Sequence, residues 1–275
     1  MSTLSDENWL DLLRSNANGD YAEIKGRPLP TMPDRTVQLN TVGQAGPGAM
    51  EEAWAFAAEC LARFRKSSRF SDPGKVLLDF GTGWGRIARC FLRDIPSENI
   101  IGVDVDHGLV KVCRGTFPGP RFLRCNAVPP LDFRNESIDF IVAYSVFSHL
   151  SEAACTAWVA EFARVLTPGG MVAVTTRGRW FFDHAASLTG RDSYSRALST
   201  MFPDFDKART KYDRGEFVHS NVDGVTGGGV LDGGFYGETF IPEQFAREVL
   251  SSILNVTEFY CGDSHPIIFF EKPAV

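Results

Sequence analysis

The stretch Val76-Leu77-Leu78-Asp79-Phe80-Gly81-Thr82-Gly83-Trp84-Gly85-Arg86 constrains this chain more than any other. An apolar run without polar alternation is what a strand covered on both faces requires. Here the run passes at once into three glycines at alternate positions. Glycine lets a backbone take positive φ and come closer to a ligand than a β-carbon permits. Free amides in such a turn, and at the start of the helix after it, receive polar groups. A tight strand-to-helix turn without a ligand satisfies the same pattern. The ligand reading gains from a second acid, Asp104, which ends the next apolar run, Ile100-Ile101-Gly102-Val103-Asp104. A carboxylate at that place accepts ribose hydroxyls in doubly wound nucleotide-binding sheets. The spacing is GxGxG, with Arg86 where the third glycine of GxGxxG would stand, and this argues against a dinucleotide.

The rest of the chain alternates strand-like and helix-like segments. Val76–Phe80, NIIGVDVD, PRFLRCNA, SIDFIVAYS, PGGMVAVTT, LNVTEFYC and HPIIFFEK read as strands. AMEEAWAFAAECLARF carries Met50, Trp54, Ala57, Leu61 and Phe64 along one helical stripe. GWGRIARCFL opens a helix, HGLVKVCRG is a short one, Ser151–Leu166 is amphipathic, and IPEQFAREVLSS is a helix with Pro242 in its first turn. Strands separated by helices predict an α/β fold, a Rossmann-like, mostly parallel seven-stranded sheet with helices on both faces. Residues 1–45 read as an N-terminal cap and 46–275 as the main domain. Within that domain the span 178–240 is too long for a loop and reads as an inserted lid before the last two strands.

With these residues in view, the chain resembles the class I S-adenosylmethionine-dependent methyltransferase family. The family's DxGxGxG is matched by Asp79, Gly81, Gly83 and Gly85, and its second-strand acid by Asp104. Asn126-Ala127 resembles its adenine loop, SIDFIVAYSVFSHL its fourth-strand motif, and Leu166 to Gly170 the turn before its fifth strand. The resemblance implies S-adenosyl-L-methionine as cofactor and S-adenosyl-L-homocysteine as product. It implies that Asp79 and Phe80 bring the turn to the methionine amino group, and that Gly81, Thr82 and Gly83 line the methionine portion. Asp104 with Val105 would hold the ribose, Asn126 and Ala127 would meet the adenine, and Tyr144 and Ser145 would approach the amino acid portion. Asn126 stands where an acid is more common, which keeps polar recognition and removes a charge.

An electrophilic methyl on a sulfonium needs an aligned acceptor more than a covalent enzyme nucleophile, and GTGWG is not a GxSxG elbow. His149, in SVFSHL after the fourth strand, is the base candidate, with a packing role as the competing reading. His184, Tyr236, Trp180, Phe181, Phe182 and Phe235 either cover a ring-bearing substrate or form the insertion's own small core. His107 belongs to a helix start, and His219 and His265 have no recognisable partners in sequence. No metal is expected, since HExxH is absent. The six cysteines form no CxxC pair and read as small apolar residues of a reducing compartment. The acidic N-terminus lacks an export segment, and no ~20-residue apolar run occurs, so a cytoplasmic protein without membrane insertion is expected. A formal charge of −6 weighs against nucleic acid. The expected reaction is methyl transfer to an oxygen or nitrogen of a small molecule or glycan precursor, with oxygen ahead. The alternatives are a protein or nucleic-acid methyltransferase, or a non-catalytic cofactor-binding regulator.

Overall fold

A computed structural model describes residues 4–190, 192–226, 231–262 and 265–274. They divide into two compact units. One holds the residues up to Cys125 with Ile138–Val142, and the other holds Asn126–Ser137 with the residues from Ala143 onward.

The first unit begins with α1 (Asp6–Ala17), capped by Ser5, whose hydroxyl accepts from the Asn8 amide; Asp6 and Glu7 complement the positive end of the helix. A short hairpin, β1 (Glu23–Ile24) and β2 (Arg27–Pro28), leads to α2 (Arg35–Val42) and α3 (Pro47–Phe64). The stripe seen in the sequence is the buried face of α3: Met50, Trp54, Ala57, Leu61 and Phe64 all lie inside. Then come β3 (Leu77–Phe80), α4 (Arg86–Cys90), β4 (Ile100–Asp104), α5 (His107–Thr116), β5 (Arg121–Arg124) and β6 (Ile138–Ala143). Strand β3 runs parallel to β4 and to β6, and β4 parallel to β5, with Asp79 level with Gly102. Helix α4 is shorter than its sequence suggests. After Cys90 the amides of Phe91 and Leu92 bond back three residues, to Ala88 and Arg89, so the turn tightens.

The second unit continues with α6 (Glu152–Val165) and β7 (Leu166–Thr175). Three helices follow, α7 (Trp180–Ser187), α8 (Ser193–Ser199) and α9 (Phe205–Asp213), and then an antiparallel pair, β8 (Val218–Ser220) and β9 (Glu238–Phe240). The chain closes with α10 (Glu243–Glu248), β10 (Asn255–Tyr260) and β11 (Ile267–Glu271). Pro242 is the N-cap of α10 rather than a residue of its first turn. The strand β7 starts at Leu166, ahead of the proline and glycines expected to form a turn. Strand order in the large sheet is β10-β11-β7-β6-β3-β4-β5, with β11 antiparallel to both β10 and β7. This is the expected seven-stranded Rossmann-like architecture. Among the described residues no helix is long and apolar enough to cross a membrane.

Candidate active site

In the first unit the glycine turn is built as the sequence demands. Gly81, Gly83 and Gly85 have φ of 73°, 55° and 81°, values that a β-carbon disfavours. The amides of Gly81 and Thr82 both donate to the Val103 carbonyl, at 2.9 and 3.0 Å, which ties the turn to the end of β4. Gly102 makes room for that closure: a β-carbon there would stand 2.6 Å from the Phe122 ring and 2.8 Å from the Thr82 hydroxyl.

Asp79 is 1% exposed. Its Oδ2 accepts from the Thr82 hydroxyl at 2.8 Å and from the Ala88 amide at 3.1 Å. Its Oδ1 is buried, and no partner for it exists among the described residues. Burial pushes this carboxyl up to about 7, against the two hydrogen bonds that favour the anion. An orphaned buried oxygen of this kind is costly and calls for a ligand. Asp104 lies at the end of β4. Its Oδ2 accepts from the Gly83 amide at 2.8 Å and its Oδ1 from the Asp106 amide at 2.9 Å. Burial raises its pKa, opposed by those two amides. Each oxygen of Asp104 retains a second lone pair, enough to accept a pair of vicinal hydroxyls. Asp106 caps α5 by accepting from Gly108 and Leu109. Phe80 and Thr82 are buried and Val105 is half-buried. The set fits S-adenosyl-L-methionine: an unsatisfied carboxylate for an ammonium group, glycines where a ligand passes, and an acid for ribose.

In the second unit Asn126 is exposed, and its side chain makes no hydrogen bond among the described residues. Ala127 is half-buried, and its carbonyl accepts from the Trp158 indole at 3.2 Å. Tyr144 follows β6 and is nearly buried, with its ring edge-on to His265 at 5.8 Å. Ser145 has φ of 57°, a left-handed conformation rare for a residue with a β-carbon. It is held by its amide, which donates to the Thr175 hydroxyl at 2.7 Å. Strain of this kind persists where its surroundings over-determine it, often at functional sites.

His149 is buried, and its Nδ1 stands 2.8 Å from the Gly237 carbonyl. A carbonyl only accepts, so Nδ1 carries the hydrogen and the lone pair of the neutral ring is on Nε2. Burial lowers the His149 pKa, against the pull of Glu238. Its ring stacks on Tyr236, with centroids 4.9 Å apart and planes 7° apart. Backbone bonds from Gly237 to His149 and from Thr239 to Ser148 lay the end of the insertion along this turn. His149 therefore has a firm structural setting and keeps the tautomer of a base.

The sequence reading missed the partners of this histidine. Glu238 is wholly buried. Arg177 Nε donates to its Oε2 at 2.9 Å, the Tyr194 hydroxyl to its Oε1 at 2.8 Å, and His149 Nδ1 lies 3.4 Å from Oε1. Burial would raise the Glu238 pKa, but His149, Arg177 and Tyr194 together hold it below its ordinary value. The available signal was a lone charge in each of two apolar settings, Val172–Arg177 and Phe235–Ile241. The other aromatic residues divide. Phe181 and Phe182 belong to a core within the insertion, with Leu198, Met201, Val218 and Phe240, while Trp180 is 49% exposed and packs on His184. His219 donates to or accepts from the Thr239 hydroxyl at 2.7 Å. All six cysteines are free, and burial pushes Cys90, Cys113 and Cys125 up to about 12, so these three are thiols at neutral pH.

Residues 77–170 match a family model described as a methyltransferase domain. A tRNA (carboxymethyluridine(34)-5-O)-methyltransferase of Arabidopsis thaliana is 34% identical over 124 residues, 44% of this chain and 29% of the relative. A ubiquinone biosynthesis O-methyltransferase of Rhodopseudomonas palustris is 27% identical over 56% of this chain and 59% of its own length. A Mycolicibacterium smegmatis protein described as a "Probable S-adenosylmethionine-dependent methyltransferase" is 30% identical over 66% of this chain and 64% of its own. The chain thus spans less than two thirds of the length of each of these relatives.

Proposed function

This chain belongs to the class I S-adenosylmethionine-dependent methyltransferase superfamily, and from that premise we propose that it methylates a hydroxyl oxygen of a small molecule or glycan precursor. Bound S-adenosyl-L-methionine supplies an electrophilic methyl carbon, which the acceptor's lone pair takes while the carbon–sulfur pair stays on sulfur, leaving S-adenosyl-L-homocysteine. Asp79 Oδ1 receives the amino group, and Gly81 and Gly83 allow the close approach. Asp104 accepts the ribose hydroxyls, and Asn126 and Ala127 meet the adenine. Tyr144 and Ser145 bound the amino acid portion. Residues 1–45 act as a cap, and 178–240 as an insertion that gives the acceptor side its residues.

The observation that carries the base-assisted reading is the commitment of His149 Nδ1 to the Gly237 carbonyl, and the preference for oxygen rests on the relatives. A neutral imidazole with its lone pair on Nε2 takes the hydroxyl proton as the new bond forms and passes it to solvent. An amine acceptor uses the same machinery, losing its proton to Nε2 after or during transfer. Two of these relatives are named as O-methyltransferases. One of them acts on tRNA, and this is the specific observation for a second reading, an RNA acceptor; the net charge of −6 speaks against it.

The test is transfer of label from methyl-labelled S-adenosyl-L-methionine to a panel of phenols, sugar nucleotides, amines and bulk tRNA. Label on a phenol or sugar hydroxyl is the expected result. Label on tRNA alone would establish the second reading, and donor binding without transfer to any acceptor would remove the enzyme reading.

A further inference from the structure

Glu238 is more than a neighbour of the histidine. A buried carboxylate paired with one guanidinium is a neutral unit, and such a pair is weak as a stabilising device because desolvation offsets its attraction. The carboxylate of this pair nevertheless lies 3.4 Å from Nδ1 of one imidazole. Arg177 comes from the end of β7 and has its guanidinium 4.2 Å over the Phe181 ring. Tyr194 comes from α8 and spends its hydroxyl on the carboxylate. Glu238 itself opens β9 and follows the residue whose carbonyl fixes the His149 tautomer.

We propose that Glu238 is a positioning residue for His149: it stabilises the positive charge the ring gains when Nε2 takes a proton, while Gly237 sets which nitrogen carries the first one. The proposal rests on the reading of His149 as the base. The titratable and charged groups around His149 are Glu238 on β9, Arg177 after β7, Tyr194 on α8, Tyr236 before β9, and His219 on β8. Glu238 is the one anion in that set. Arg177 opposes protonation of His149, and burial opposes it further. Without Glu238 a proton arriving at Nε2 would meet only unfavourable charges. The proton moves from the acceptor hydroxyl to Nε2, the cluster gains one positive charge, and Glu238 lies 3.4 Å from the opposite nitrogen.

The test is an NMR pH titration of the intact protein with 15N-labelled histidine, in which His149→Ala identifies the resonance and no acceptor is needed. Wild type is expected to show the Nδ1–H tautomer. In Glu238→Gln the His149 midpoint is expected to fall by about 1–3 pH units, the size of an opposite charge at this range, and Glu238→Asp should recover at least half of that. Glu238→Gln leaves Arg177 buried without its anion and can fail to fold. Tyr194→Phe covers that case: it removes one donor from Oε1, keeps both charges, and should raise the midpoint by a few tenths. Unchanged midpoints in a folded Glu238→Gln, or in Tyr194→Phe if the first does not fold, would overturn the proposal. Full label transfer by His149→Ala in the acceptor panel would remove the base reading and this proposal with it. An unchanged titration alongside an inactive His149→Ala would remove Glu238 alone.

Discussion

Replacing Asp79 by Asn separates what this carboxylate costs the fold from what it gives the cofactor. Asn is isosteric, and its oxygen can still accept from the Thr82 hydroxyl and the Ala88 amide, as Oδ2 of Asp79 does. The unpartnered Oδ1 position would receive the amide nitrogen. Folding raises the Asp79 carboxyl from its ordinary 3.8 to about 7. The sign follows from proton binding: between these values the folded chain holds a proton that the unfolded chain has lost. Stability is therefore full below pH ~4 and falls as pH rises to ~7, beyond which the loss is complete at about 4 kcal/mol. About half of that loss lies above pH 5.5. Asn does not titrate, so whatever fixed cost its unpaired amide carries cancels when two pH values are compared. The stability of Asp79→Asn relative to wild type is expected to grow by about 2 kcal/mol between pH 5.5 and 8.5, read from urea unfolding at both. The same variant should bind S-adenosyl-L-homocysteine about 10–100-fold more weakly, the worth of a hydrogen bond to a charged group. Wild-type affinity should itself drop roughly tenfold from pH 8 to pH 6, as the carboxylate acquires its proton. A stability difference between variant and wild type that stays constant within ~0.5 kcal/mol over this range would refute the reasoning, because the carboxyl would then not be titrating near neutrality.

Other perturbations test the remaining parts. Asp104→Ala removes the acceptor for the Gly83 and Asp106 amides, and should weaken S-adenosyl-L-homocysteine binding at least tenfold by calorimetry; equal affinity would contradict the ribose assignment. Gly102→Ala forces a β-carbon against Phe122 and the Thr82 hydroxyl and should cost about 1–3 kcal/mol in urea unfolding; an unchanged midpoint would show that the packing yields. His149→Ala should keep cofactor affinity within twofold and lower turnover by roughly 10²–10⁴, which single-turnover label transfer measures; normal turnover would return His149 to a packing role. Because burial lowers its pKa, the acid limb of wild-type turnover at saturating donor, where the Asp79 titration no longer limits binding, should lie below pH 6.5.

Local chemistry made the first half of the site legible. Three glycines at alternate positions, bounded by acids that end two apolar runs, can be read without coordinates because each constraint acts on a few neighbouring residues. The turn, the strands β3 and β4 and the cap at Asp106 all follow from such constraints. The buried stripe of α3 was readable because periodicity is a property of the chain. Helix α4 was misjudged in length since nothing in its composition announces a tightened turn.

The sequence by itself determined the doubly wound sheet, the glycine turn and the two acids, because the steric needs of glycine and the apolar period of a covered strand are local. Only the tertiary structure decided that Arg177, Tyr194 and Glu238 meet beside His149, across separations of 17 to 89 residues, and that one oxygen of Asp79 is buried without a partner among the described residues. Such meetings depend on where the insertion folds back, and burial is what turns ordinary side chains into groups with a displaced pKa. Neither quantity exists until the chain has folded.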